Sequence, residues 1–291
     1  MPFMAVRLQH RFSTIGHASS CRLGLSFPVF VLALLMPHVV HAFGAKAHRV
    51  VGHVAEQYIC VETRAALEQL MPDYSLAEAG VWADKIRGYS SWDYTKPWHF
   101  INVPDGVALS AAARSDSGDV LTAIDQFSAE LNEPNLTDQQ RLKAFYFLVH
   151  FVADVHQPLH VGRQSDLGGN RIEVRVNRRK MNLHSYWDTS VIKDEVANAG
   201  IYGRALAVRN ARVAAAWQDS DPQIWAVESQ AFRPEVYDFG EPSEAGRPNL
   251  DAAYQARARE IVDLRLAQAG IRLAGMLNNV WCPGKVAGKT G

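Results

Sequence analysis

The sequence predicts a mostly α-helical single domain with one small β-hairpin. Three observations point there. The long segments space their apolar residues at helical intervals. One short segment alternates apolar and charged residues after a Gly-Gly-Asn turn. No internal repeat and no Pro-, Gly- or Ser-rich linker divides the chain. With 291 residues, 48% of them hydrophobic, the chain can bury a large core. Its formal net charge of zero excludes a strongly basic nucleic-acid-binding scaffold, but not an enzyme that handles phosphates through metal ions.

The elements follow in order. Residues 1–42 read as a secretory signal peptide rather than as fold. Arg7, Arg11 and Arg22 precede the short apolar run 23–36, and Val40 and Ala42 are the small residues of a cleavage site. A transmembrane anchor is the alternative, but the run is short for a bilayer and Pro28 and Pro37 punctuate it. Cleavage after Ala42 removes three of the 30 basic residues and none of the 30 acidic ones, leaving a mildly acidic domain over 43–291. Residues 48–59 place Val51, Val54, Ala55 and Tyr58 on one helical face. Residues 75–89 open on Ser75 with Glu78 three positions on, a capping-box pattern, and read as one helix. Residues 137–157 are apolar nearly all round, which predicts a central buried helix that Pro158 ends. Ile172, Val174 and Val176 alternate with charged residues and form a strand, half of a hairpin. Residues 201–218 and 251–281 read as two further helices, and 283–291 as a frayed tail. Cys60 and Cys282 remain after cleavage; they are either a disulfide or two buried thiols, and an oxidising compartment favours the disulfide.

The chemistry concentrates in "HFVADVHQPLH", residues 150–160. His150 and Asp154 are four apart and share a helix face. His160 follows in the turn after Pro158, and "HSYWD" repeats the spacing with His184 and Asp188. Asp84 and Arg87 lie together in "WADKIR", His99 in "PWHF", and His48 five residues after the new N-terminus. All seven histidines beyond residue 42 fall at or before position 184, which suggests a shared task. A single His-x3-Asp pair would signify only a hydrogen-bonded core histidine. Five histidines with three carboxylates are hard to bury without a metal. Imidazole and carboxylate suit zinc, and eight such side chains suit two or three ions.

These motifs resemble the zinc-dependent S1/P1 nuclease family, related in fold to zinc phospholipase C. The resemblance rests on HF-x2-D-x-HQPLH-x-G, D-x-GGN and NLHS-x-WD, with WAD-x-IR and WHF upstream. It implies a trinuclear zinc site. Asp84, His99, His150 and Asp154 would hold one ion, and His160, His184 and Asp188 a second. His48, a bridging Asp154, and the free amine and carbonyl of Phe43 would hold the third. The family begins Trp-Gly where this chain has Phe43-Gly44, but the ligand atoms there are backbone. The resemblance further implies that Asp84 orients the attacking water and Arg87 neutralises phosphate charge. Phe100 and Asn102 would contact the base; fungal members carry Asp at the Asn102 position. His53 and His156 are left for supporting hydrogen bonds. The implied activity is hydrolysis of single-stranded DNA, RNA and 3′-nucleotides to 5′-phosphate products, in a secreted or periplasmic protein with no membrane anchor and no stable protein partner. A phospholipase C is the alternative enzyme, and Asp188 argues against it because the phospholipases carry Glu there. A non-catalytic zinc-binding protein is the other alternative, and its main support is Phe43.

Overall fold

In a computed structural model of the protein, residues 43–73, 75–193, 197–218, 221–240 and 247–283 are described. The expected leader and the tail after Pro283 lie outside them. The expected mostly helical fold with one two-stranded hairpin is what the chain adopts. None of the described helices is long and apolar enough to cross a membrane.

Helix α1 (Ala45–Ala55) buries Val50, Val51 and Val54. It lies against the long C-terminal helix α13 (Ala252–Trp281). The close approach needs Gly270, where a Cβ would sit 2.4 Å from the Val54 side chain and 2.7 Å from the Val51 carbonyl. Helix α2 (Val61–Leu70) is capped by the Cys60 sulfur, which accepts the Thr63 N–H. The Cys60–Cys282 disulfide, with Cα atoms 6.7 Å apart, joins that cap to the end of α13. Of the two readings of these cysteines, the pairing is therefore the one the fold adopts.

The single helix expected over 75–89 is two: α3 (Leu76–Ala79) and α4 (Trp82–Ile86). Gly80 interrupts them, and its carbonyl accepts from His150 in α6, a tertiary bond that overrides the local pattern. Ser75 caps α3 as expected, but Glu78 pairs with Arg49 at 2.7 Å instead of closing the box. A reciprocal capping box occurs at Thr137 and Gln140, opening α6 (Asp138–Asp154). Before it, a 3-10 run over Ser90–His99 leads to α5 (Val120–Asn132). Phe127 of α5 stacks on Phe147 of α6 with ring centroids 4.8 Å apart. Helix α6 is buried from Ala144 to Asp154, so it is the central helix its composition predicts.

Strands β1 (Glu173–Val176) and β2 (Arg179–Asn182) pair antiparallel, Val174 opposite Met181. The short α7 (Leu183–Ser185) runs into a π-helical turn over Tyr186–Ser190 and then α8 (Val191–Lys193). The helix expected over 201–218 is also broken, into α9 (Ala199–Arg209) and α10 (Ala214–Gln218). At the break, the Asn210 side chain donates to the Leu206 carbonyl and competes with helical bonding. Helices α11 (Pro222–Ala231) and α12 (Arg233–Val236) complete the packing around α13.

A buried polar network ties α13 to the end of α6. Arg265 and Arg272 of α13 are fully buried, and each places a guanidinium nitrogen 2.6 Å from the Glu228 carboxylate. Arg265 donates to the His156 carbonyl and Arg272 to His156 Nε2, while His156 Nδ1 donates to the Val152 carbonyl. Burial and the two guanidiniums push His156 well below its ordinary pKa, so it stays neutral. Glu228 is the shared counter-charge. Glu228→Gln should therefore destabilise the fold by about 3 kcal/mol, because it leaves two buried cations uncompensated. Urea denaturation at neutral pH checks this; an unchanged midpoint would show that Glu228 is dispensable.

Candidate metal centre

The end of α6, the turn that follows it and the segment beyond β2 converge on one carboxylate. Asp154 is fully buried. His99 Nδ1 and His150 Nε2 approach its Oδ2 at 2.9 and 3.1 Å. His160 Nδ1 and His48 Nε2 approach its Oδ1 at 3.4 and 3.5 Å. His160 turns its other nitrogen to Asp188, 3.4 Å away, and His184 Nε2 lies 3.1 Å from the same carboxylate. Asp84 stands 4.0 Å from His150 Nε2. The residues thus fall into three groups, the first two sharing His150: Asp84, His99 and His150; His48, His150 and Asp154; His160, His184 and Asp188. The eight side chains singled out in the sequence are brought together.

Their polar atoms fit cations and little else. Both nitrogens of His48, both of His160, His99 Nε2, His184 Nε2, Asp154 Oδ1 and Asp188 Oδ2 are buried without a hydrogen-bond partner. Leaving so many polar atoms unpaired is costly, and bound ions would satisfy them. The tautomers agree. His150 Nδ1 donates to the Gly80 carbonyl and His184 Nδ1 to the Gly168 carbonyl, both at 2.7 Å. A carbonyl only accepts, so Nδ1 holds the proton and Nε2 presents its lone pair to the cluster.

Electrostatics point the same way. Burial opposes ionisation of Asp154, yet His150 and His160 hold it well below the usual carboxylate range. Burial likewise opposes charge on Asp188, and His184 and His160 outweigh it. His160 is disfavoured as a cation by burial, but the two carboxylates push it up to about 10. Burial keeps His99 neutral, at about 4. In the absence of metal, protons on imidazole compensate the two carboxylates. Protons and metal therefore compete for one site, and ion binding weakens as pH falls.

The supporting shell explains motif residues that are not ligands. Gly168 adopts φ +61°, and a Cβ there would meet the Leu159 carbonyl at 2.4 Å. Only glycine lets this loop reach in to orient His184. Asp166 holds the loop by accepting the Gly169 N–H at 2.7 Å. Gln157 donates to Asp188 Oδ1 at 2.7 Å and accepts the Leu159 N–H, so it orients a candidate ligand. Sequence reasoning missed Gln157; its place inside HQPLH was the available signal. His53 is half-buried and pairs with Glu56 at 3.0 Å, away from the cluster.

Of the remaining expected site residues, Arg87, Phe100 and Asn102 are partly exposed and Phe43 is buried. Arg87 caps α4 and places Nη1 3.4 Å from Asp84 Oδ1. Segment 100–103 runs beside His160–Gly162, with Ile101 and Val103 donating to the His160 and Gly162 carbonyls. Ile101 and Val103 are buried, so Phe100 and Asn102 alternate to the other side and are partly exposed. Phe43 is fully buried, and the neighbouring Gly44 N–H donates to the Asp188 carbonyl at 2.8 Å. Residue 43 thus enters the fold beside the His160–His184–Asp188 group.

Fold and site together define a mostly helical protein built around a buried cluster of candidate metal-binding His and Asp side chains. Comparison with known proteins makes the class specific. The chain belongs to the S1/P1 nuclease family, whose model matches residues 43–281. It is similar to "Endonuclease 4" of Arabidopsis thaliana, 31% identical over 87% of this chain and 94% of the relative. "Nuclease S1" of Aspergillus oryzae is 27% identical over 86% of this chain and 96% of the relative. "Nuclease P1" of Penicillium citrinum is 26% identical over 82% and 97%. The protein is accordingly a nuclease, a phosphodiester hydrolase.

Proposed function

We propose that this protein is a zinc-dependent endonuclease of single-stranded DNA and RNA that also hydrolyses 3′-nucleotides. The observation that carries the reading is the set of buried, unpartnered imidazole and carboxylate atoms around Asp154 and Asp188. His48, Asp84, His99, His150, Asp154, His160, His184 and Asp188 would hold three zinc ions, with the amine and carbonyl of Phe43 completing the third site. When bound, the ions supply Lewis acidity, a nucleophilic water near neutral pH and charge for the leaving oxygen. Asp84, at the open edge of the cluster, orients the water for in-line attack on phosphorus. Arg87, steadied by Asp84, neutralises a phosphoryl oxygen. Phe100 stacks on an unpaired base and Asn102 hydrogen-bonds its edge, which favours single strands over duplex. The 3′ oxygen leaves and the product carries a 5′-phosphate.

We further propose that residues 1–42 are a signal peptide removed after Ala42, leaving a secreted or periplasmic domain over 43–291. The cleavage pattern in the leader supports this, and the family match begins at residue 43. The test is elemental analysis of protein purified without chelator, alongside assays on single-stranded DNA, RNA, a 3′-nucleotide and phosphatidylcholine. About three zinc ions per chain and cleavage of the first three substrates are expected. One ion or none would overturn the trinuclear reading. Turnover of phosphatidylcholine without DNA cleavage would overturn the nuclease substrate assignment.

A further inference from the structure

We propose that the β1–β2 hairpin is a phosphate-gripping arm that holds the backbone of a single-stranded nucleic acid away from the scissile bond. The proposal rests on the nuclease reading of the metal centre. Its evidence is separate from that centre and lies in charge, register and backbone conformation.

Residues 171–182 carry five cations, Arg171, Arg175, Arg178, Arg179 and Lys180, against one acid, Glu173. Glu173 is already engaged by Arg247 at 2.6 Å and, more loosely, by Lys180 at 4.0 Å. Arg178 and Arg179 are exposed and have no acidic partner among the described residues. Such a cluster stands out on a domain with more acidic than basic residues, and it is the footprint of a polyanion contact.

Two features of the hairpin are unfavourable for folding alone. Arg175 lies directly opposite Lys180, like charges on a cross-strand pair. Val174 and Val176 are buried, and Arg175 and Lys180 alternate to the other face, where Lys180 is exposed and Arg175 half-buried. At the tip, Asn177 and Arg178 both adopt left-handed φ, +48° and +68°. The second position of such a turn favours glycine, and here it is an arginine. Local choices that oppose stability are expected where function holds them.

The arm is anchored to the centre. Strand β2 ends at Asn182, whose side chain accepts the Ser185 N–H and caps the turn that carries His184. The strand rise puts the tip roughly 13 Å from Asn182, the residue at which β2 hands over to the turn carrying His184. A 3′-mononucleotide is too short to reach that distance from the cluster, and a longer strand reaches it. The arm therefore acts on long substrates alone.

The test compares the holoenzyme with a variant carrying Arg178→Gly, Arg179→Ser and Lys180→Ser. For an oligothymidylate of about twenty nucleotides at low salt, KM should rise about tenfold with kcat unchanged. The log–log salt dependence of kcat/KM should become shallower by about two, at ~0.7 for each single-strand phosphate that the hairpin no longer neutralises. Both kinetic constants for 3′-AMP should stay as they were. Thermal stability should not fall, since glycine suits the turn; a variant with Arg178→Lys and Arg179→Lys should retain the salt dependence. Anisotropy of the labelled strand on Asp84→Asn protein, with and without the hairpin substitutions, separates the two readings. Hairpin-dependent binding beside a wild-type protein that cleaves no nucleic acid would keep the arm and remove the nuclease assignment. Efficient cleavage with an unchanged salt slope and KM in the hairpin variant would overturn the arm.

Discussion

Asp154→Ala should strip the protein of most of its bound metal and lower nuclease activity by more than about 100-fold. That loss exceeds what removal of an outer supporting residue brings about. The reason is geometric: four imidazole nitrogens lie within 3.5 Å of this one carboxylate. Without it, the proposed first and third ion sites would lose their shared ligand together. Asp154→Asn keeps the shape and removes the charge, so it should resemble Asp154→Ala in metal content. His53→Ala is the control, because His53 pairs with Glu56 outside the cluster. Metal-to-protein ratio and kcat on single-stranded DNA, measured for all three, give the answer. A full complement of ions in Asp154→Ala, or equal mild effects across the set, would show that the bridge is elsewhere.

A form of the protein with residues left before Phe43 should bind fewer ions and cleave single-stranded DNA at least about tenfold more slowly than a form that begins at Phe43. Its nitrogen at position 43 would be an amide, a poor ligand, whereas the processed chain offers an amine. Phe43 is fully buried, and the Gly44 N–H beside it donates to the Asp188 carbonyl. Phe43→Trp should keep the activity of each folded molecule, since the proposed ligand atoms are backbone. It should cost about 1–3 kcal/mol of stability, because the Phe43 ring fills a closed core position. N-terminal sequencing identifies each form before metal counting and assay. Equal rates for extended and processed protein would remove the terminal amine from the ligand set.

Much of this was legible in the sequence because the ligands sit in short-range patterns. His150 with Asp154 and His184 with Asp188 declare a shared face by spacing alone, and the apolar surround of residues 144–154 declares burial. The β-hairpin was visible in Ile172, Val174 and Val176. What the sequence hid was set by contacts distant along the chain. The break at Gly80 depends on an imidazole 70 positions later, and local pattern favoured one continuous helix. The break at Asn210 depends on a side-chain amide turning back on its own helix. The convergence of Asp84, His99 and His48 on α6 required tertiary packing that no spacing encodes. Gln157 lay inside a recognised motif, but its bond to Asp188 appears only when two segments meet.

The contact of α1 with α13 also orders events in time. His48 rides on α1, and α1 is packed at Gly270 against a helix that follows it far along the chain. During synthesis, the earliest histidine of the centre therefore lacks part of its seat until α13 has emerged. The emerging chain can make the α5–α6 pairing early, from neighbouring segments, but not the closure over His48. A chain stopped before α13 would lack the helix on which α1 closes over the candidate metal centre.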